Sequence, residues 1–348
     1  MRPTLHDVAR LAGVSYRTVS NVVNDRPHVR DATRVRVNEA IASVGYRPSY
    51  AGRSLRSGRT GIIRLAVPEL GHPYFAGFAS RVIEAANSRG LVVLTEQHGA
   101  DRKRELQTLL GTGRQSTDGL LMSPASLLSS DVERLSPKSA VVILGQEWSP
   151  GHVDQVVMDD RGGAMKATNH LLTLGHERIA VLGGESLIYV RAANLRLAGY
   201  REALEQHGHR VDPALVVPAA MWHRPDGAEA IARLLAAGQR FSAVFALNDT
   251  LALGAMHELQ RRGLRVPQDV AVVGFDNVAE GLYSNPSLST VDPDWRSIAH
   301  LAVDTLISRI ESPDSSHTTT HVTASLVQRA STEPVESLMT IRNDVSSR

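Results

Sequence analysis

Arg17 and Asn21 stand four residues apart in SYRTVSNVVN, a spacing that puts both on one face of a helix. Arginine can grip guanine, and asparagine adenine, through paired hydrogen bonds in the major groove, so the two together are chemistry for reading bases. Tyr16, Ser20 and Asn24 fall on the same outward side, which leaves Val19, Val22 and Val23 to face a core. Polar residues on a solvated face need no ligand; the short turn before this helix, the Ser15 cap and the local charge together favour DNA. Residues 1–60 hold eleven arginines, no lysine and four acids, so 11 − 4 = +7, against −5 for the remainder of a chain of net charge +2. A basic end on an acidic body is the footprint of a small nucleic-acid-binding module.

A second set of candidates sits where strand patterns end: Glu69 to Phe75, Gln146, Asn248 with Asp249, and Asp276. Ligands of open parallel sheets bind beyond the carboxyl ends of their strands. Aromatic residues make up only 4% of the chain, yet Tyr74, Phe75, Trp148, Trp222 and Tyr283 all fall in such loops. Rings for stacking and a few charged or amide groups make a small-molecule cleft. Catalytic patterns are missing. Lys103, Lys138 and Lys166 lack a preceding glycine, and Gly183 with Gly184 lacks dinucleotide-fingerprint spacing. His317 and His321 lack the glutamate of a zinc helix, and no Gly-x-Ser-x-Gly occurs. No enzymatic activity, cofactor or metal is expected.

Three short helical patterns must position the first set. Thr4, with Asp7 three residues on, starts one that Gly13 ends; Ser15 caps a second from Tyr16 to about Asn24; Asp31 or Thr33 begins a third that closes near Gly45. The connection Ala12–Gly13–Val14–Ser15 has helix-turn-helix length. YRPSYAGRSLRSGRT, residues 46–60, reads as a linker. From residue 61 strand and helix alternate, with Phe75, Phe78, Ala79, Val82, Ile83 and Ala86 on the inner side of the first helix. That alternation predicts an α/β architecture of mostly parallel sheets, and about 270 residues of it exceed one doubly wound unit, so two similar lobes are expected.

At 348 residues the length suggests two or three domains. With 42% hydrophobic and 21% charged residues the chain is globular, not disordered, collagen-like or coiled-coil. The absence of cysteine excludes disulfides, thiolate metal sites and a cysteine nucleophile. No apolar leader opens the sequence and no run approaches a membrane span, so a cytoplasmic protein without a membrane partner is expected.

Together these residues resemble the lactose-repressor/galactose-repressor family of bacterial transcription regulators over nearly the whole chain. TLHDVARLAGVSYRTVSNVVN and VRDATRVRVNEAIASVGYRP are similar to the family's headpiece. AGRSLRSGRTGIIRLAVPELGHPYFAGF looks like its hinge and first core strand, and LLTLGHERIAVLGG, LRLAGYREAL, FALNDTLALGA, VPQDVAVVGFDN, NPSLSTV and LVQRAST follow as later landmarks. The resemblance implies a helix-turn-helix headpiece over 1–46, a hinge over 47–60, an effector-binding and dimerisation core over 61–332 like periplasmic sugar-binding proteins, and a tail over 333–348. Chain crossings between the lobes are expected near residues 161, 291 and 317. Its implied partners are a second copy, double-stranded operator DNA of pseudo-palindromic sequence, and a small effector, a sugar or related metabolite.

By motif, Ser15, Tyr16, Arg17, Thr18, Ser20, Asn21, Asn24, Arg53 and Leu55 would contact DNA, with Leu55 as a minor-groove wedge. Tyr74, Phe75, Arg196, Trp222, Asn248 and Asp276 would contact effector. Three departures stand out. Gly52 lowers hinge helicity, Gly145 and Gln146 replace an aspartate that many members carry, and the tail lacks the leucine heptads of a tetramer.

Overall fold

The computed structural model describes residues 3–23, 26–27, 29–46, 59–111, 117–148, 151–184, 186 and 189–332. Asn24, Arg53, Leu55, most of the expected hinge and the tail after Thr332 lie outside the described residues. The chain divides into two compact units, Met1–Gly61 and Ile62–Arg348.

The first unit holds α1 (Leu5–Ala12), α2 (Tyr16–Val23) and α3 (Asp31–Val44). Local chemistry sets each boundary. Thr4 Oγ1 accepts from the Asp7 amide while the Thr4 amide donates to Asp7 Oδ2 at 2.9 Å, a reciprocal capping box. Gly13 ends α1 at φ 62°, a left-handed turn that glycine adopts without a Cβ penalty. Ser15 Oγ then accepts from the Thr18 amide at 3.1 Å and starts α2. Val8, Ala9, Ala12, Val19, Val22, Val37 and Ala40 close a core of small side chains between the three helices.

The second unit runs β1 (Ile62–Val67), α4 (Pro73–Asn87), β2 (Val92–Gln97), α5 (Arg102–Leu109), β3 (Gly119–Met122), α6 (Ser129–Val132), β4 (Val141–Gly145) and β5 (Asp154–Met158). Then follow α7 (Asp160–Thr173), β6 (Ile179–Gly184), α8 (Val190–Gln206), β7 (Val216–Pro218), α9 (Arg224–Ala236), β8 (Ala243–Ala246), α10 (Asp249–Arg261) and β9 (Ala271–Phe275). The unit closes with α11 (Ala279–Leu282), β10 (Ser289–Asp292), α12 (Trp295–Glu311), β11 (Thr319–Val322) and β12 (Ser325–Val327). Two six-stranded sheets result, ordered β11-β5-β4-β3-β1-β2 and β12-β10-β9-β8-β6-β7. All pairings are parallel except β10 with β12. In each sheet the strand order reverses at the first strand, β1 or β6, and such a reversal opens a crevice at the strands' carboxyl ends.

The chain crosses between lobes after β5, between β10 and α12, and between β11 and β12. The third crossing falls at residues 323–324 rather than near 317, because β11 pairs with β5, Thr319 opposite Gln155. Asp154 enforces that pairing. Its buried carboxylate accepts from the Thr318 amide at 2.8 Å and hydroxyl at 3.1 Å and is held by Arg309 of α12 at 2.7 Å. Ile83 also departs from expectation. It is 38% exposed, and the buried stripe of α4 is Phe75, Phe78, Ala79, Val82, Ala85 and Ala86. At 100° per residue Ile83 lies past the edge of that stripe.

In the second lobe α9 and α10 meet backbone to backbone. A Cβ at Gly227 would collide with the Leu251 carbonyl, and one at Gly254 with the Arg224 carbonyl. That approach fixes the amino end of α10, and with it Asn248, against Trp222.

Candidate functional site

In the helix-turn-helix unit Arg17 is exposed and Tyr16, Ser20 and Asn21 are half-exposed, on the side of α2 away from buried Val19 and Val22. The ring of His6 stacks on Tyr16 with centroids 4.7 Å apart. Ser15 and Thr18, expected at DNA, already serve the helix start: their hydroxyls lie 2.9 Å apart and Ser15 caps Thr18. Asn24, Arg53 and Leu55 lie outside the described residues.

In the second unit the strand-end loops of both lobes open on one cavity. All six expected effector residues, Tyr74, Phe75, Arg196, Trp222, Asn248 and Asp276, line it, and so do Gln146 and Trp148. Tyr283 does not belong to it; the residue follows α11 and is 84% exposed. Asp249 is also elsewhere: its buried carboxylate accepts from Thr290 Oγ1 at 2.6 Å and the Val278 amide at 2.9 Å. The first residue of α10 therefore turns inward to pin the β9–α11 loop.

Charge in the cavity centres on Arg196, buried on α8. Its Nε donates to Asp160 Oδ1 at 2.7 Å and its Nη1 to the Leu247 carbonyl, with Asp276 Oδ1 at 3.4 Å. The guanidinium also sits 3.6 Å from the Phe275 ring centroid, a cation–π contact. Burial, with Asp249 and Asp160 nearby, pushes the Asp276 carboxyl well above the usual range, and Arg196 offsets only part of this. Trp222 and Asp276 adopt φ of 61° and 113°, conformations that cost a non-glycine residue about 1–3 kcal/mol each and are kept where structure overdetermines them. Trp222 is locked by its Nε1–H donating to the Gly183 carbonyl at 2.9 Å, and Asp276 by its amide donating to Val291 at 2.8 Å.

Asn248 has less freedom than its expected role requires. Its Oδ1 caps α10 at the Leu251 amide, 2.8 Å, and its Nδ2 donates to the Trp222 carbonyl at 3.1 Å. An asparagine directly before DTLALGAMHE is an N-cap signal that sequence alone offers. Three partners were not picked out beforehand. Asp160 binds Arg196 and also accepts from Gln146 Nε2 of the other lobe at 3.0 Å. His72, inside the 69–75 stretch, reaches across to Thr250 Oγ1 at 3.2 Å and Asn248 Nδ2 at 3.4 Å. Burial, with His223 beside it, lowers the His72 pKa to about 4, so the bridge is made by a neutral ring. Arg191 crosses the cleft too, donating to Glu147 and Ser129.

A pH signature follows from Asp249, whose pKa burial pushes up to about 7. A carboxyl with a folded pKa above its unfolded value, about 3.9, gives stability that is complete below pH 4 and lost as pH rises toward 7. Urea unfolding of the full chain should therefore weaken across that window by up to a few kcal/mol, at about 1.4 per pKa unit, with Asp276 adding to the slope. Asp249→Asn should flatten it; an equal slope in the variant would rule out Asp249 as its source. The carboxylates of Glu258 and Asp269, held down to about 2 by hydrogen bonds from Arg261, Arg262 and Arg265, act only in stronger acid.

Among the described residues no helix is long and apolar enough to cross a membrane. Residues 4–49 match the model for bacterial regulatory proteins of the lacI family, and residues 168–332 that for a periplasmic binding protein-like domain. A ribose operon repressor of Haemophilus influenzae is 32% identical over 329 residues, 94% of this chain and 98% of that protein. The structure of a transcriptional regulator of the LacI family from Sanguibacter keddieii is 47% identical, with a TM-score of 0.73 over 80% of this chain and all of that one. The lac repressor dimer bound to operator and the anti-inducer ONPF superposes with a TM-score of 0.81 at 27% identity, over 96% of this chain and all of that one. A capped helix-turn-helix, two parallel sheets around a cleft and end-to-end similarity to a repressor lead to one conclusion: this chain belongs to the lacI family of bacterial regulatory proteins, DNA-binding transcriptional regulators with an effector-binding core.

Proposed function

We propose that the chain represses transcription as a cytoplasmic homodimer on a pseudo-palindromic operator, and that a sugar or related metabolite in the cleft sets its operator affinity. One observation carries this: the same chain holds an outward Arg17–Asn21 face on a capped helix and a cavity at the carboxyl ends of two sheets. In this reading 1–46 is the headpiece, 47–60 the hinge, 61–332 the core and 333–348 a tail, and the cleft binds without catalysing. A sugar is favoured by the similarity to the ribose operon repressor and by the aromatic walls around Arg196 and Asp276. Ile83, Val92 and Leu94, each 37–38% exposed in one chain, support a face that a second copy covers.

Base reading by Arg17 is tested by binding-site selection. Arg17→Ala should relax preference at a symmetric pair of positions by about 1–3 kcal/mol while leaving the other positions selected. An unchanged selected sequence would remove Arg17 from readout.

A further inference from the structure

The cavity lining holds two groups of different chemistry. In one, Arg196 is matched by Asp160 and Asp276, donor beside acceptor. The other is Trp148 with Arg191. Trp148 is 5% exposed, and its amide is satisfied by Gln155 Oε1 at 2.7 Å. Its indole Nε1–H is buried with no acceptor, and an unpaired buried donor in a native fold calls for an explanation. The Arg191 guanidinium lies 4.0 Å from the Trp148 ring centroid. Among the described residues it donates to neutral oxygens, the Glu147 carbonyl at 3.1 Å and Ser129 Oγ at 3.0 Å. Among the described residues no carboxylate reaches it within ion-pair distance; that of Glu147 is turned to His321 Nε2 at 3.8 Å. Burial lowers the Arg191 pKa, a cost that an anion would relieve.

Two adjacent donors, one of them a cation with no counter-charge among the described residues, suit a group made only of acceptors. We propose that the effector carries an oxyanion, the carboxylate of a sugar acid or the phosphate of a sugar phosphate, seated on Trp148 Nε1–H and Arg191 while its hydroxyl end meets Asp276 and Arg196. Gly145 and Gln146 bring no carboxylate at the end of β4, and that of Glu147, the residue before Trp148, is turned to His321. The inference rests on the cleft being the effector site.

Calorimetric titration of the full chain tests it, with D-glucose, D-galactose and D-ribose as neutral probes, D-glucuronate and D-galacturonate as carboxylates, and glucose 6-phosphate and ribose 5-phosphate as phosphates. At least one anion should bind about 10-fold or more tightly than its neutral parent, and Arg191→Gln and Trp148→Phe should each reduce that ratio by a similar factor. A ratio cancels any general loosening of the cleft. Which anion series wins identifies the oxyanion. A neutral parent that binds as tightly as its anions, or a ratio unmoved by both substitutions, overturns the proposal. If only neutral sugars bind and Asp276→Asn removes that binding, the oxyanion subsite falls and the cleft reading stands. If no probe binds, both fall.

Discussion

Arg196→Met should weaken the core by about 3–5 kcal/mol, seen as a lower urea midpoint, because removing one partner of a buried ion pair strands the other. The stranded groups are specific. Asp160 loses the 2.7 Å bond from Nε and keeps that from Gln146, the Leu247 carbonyl loses its bond from Arg196, and Asp276 is left among like charges. Arg196 itself stays charged in the fold: burial works against it, yet Asp160 and Asp276 together raise its pKa. Adding Asp160→Asn to the methionine variant should recover much of the loss, since the cost is that of an unpaired charge and not of the pair itself. A loss below about 1 kcal/mol would mean that water reaches Asp160 and that the site is not dry as described.

Asp276→Asn should drive the ratio of operator affinities with and without effector to one. Coupling between two sites is typically 1–3 kcal/mol, about 5–150-fold, and exists only through differential contacts of the ligand with two lobe arrangements. Asp276 is placed to make such a contact. It lines the cavity from the second lobe, and its own carbonyl accepts from Trp295 Nε1 of the first. A ligand gripping the carboxylate therefore pulls on a loop that touches both lobes. Operator titrations at saturating effector, wild type against variant, decide the matter. A variant responding at the wild-type effector concentration would place the essential contact elsewhere.

How much of this could be read from the chain alone depends on how far apart the interacting groups stand in sequence. Thr4 with Asp7, Gly13, and Ser15 with Thr18 act within three residues, so the helix-turn-helix and its outward Arg17–Asn21 face followed from local capping and period. The strands β3, β4, β6, β8 and β9 are apolar runs buried on both faces, β1 is apolar but for Arg64, and their ends pointed to Tyr74, Gln146, Asn248 and Asp276 as cleft residues. What those residues do once there was decided only in three dimensions. Arg196 meets Asp160 from 36 positions away, and Asp249 turns from the cleft to Thr290, 41 positions on. Tyr283 has an aromatic side chain suited to the cleft yet points into solvent, because α11 ends one residue before it. The third crossing moved past β11 because Asp154 and Arg309, 155 residues apart, join α12 and residue 318 to β5. Local propensity fixes where an element begins and which side is apolar; which buried charge finds which partner depends on sheet order and register, and these emerge only when the whole lobe packs.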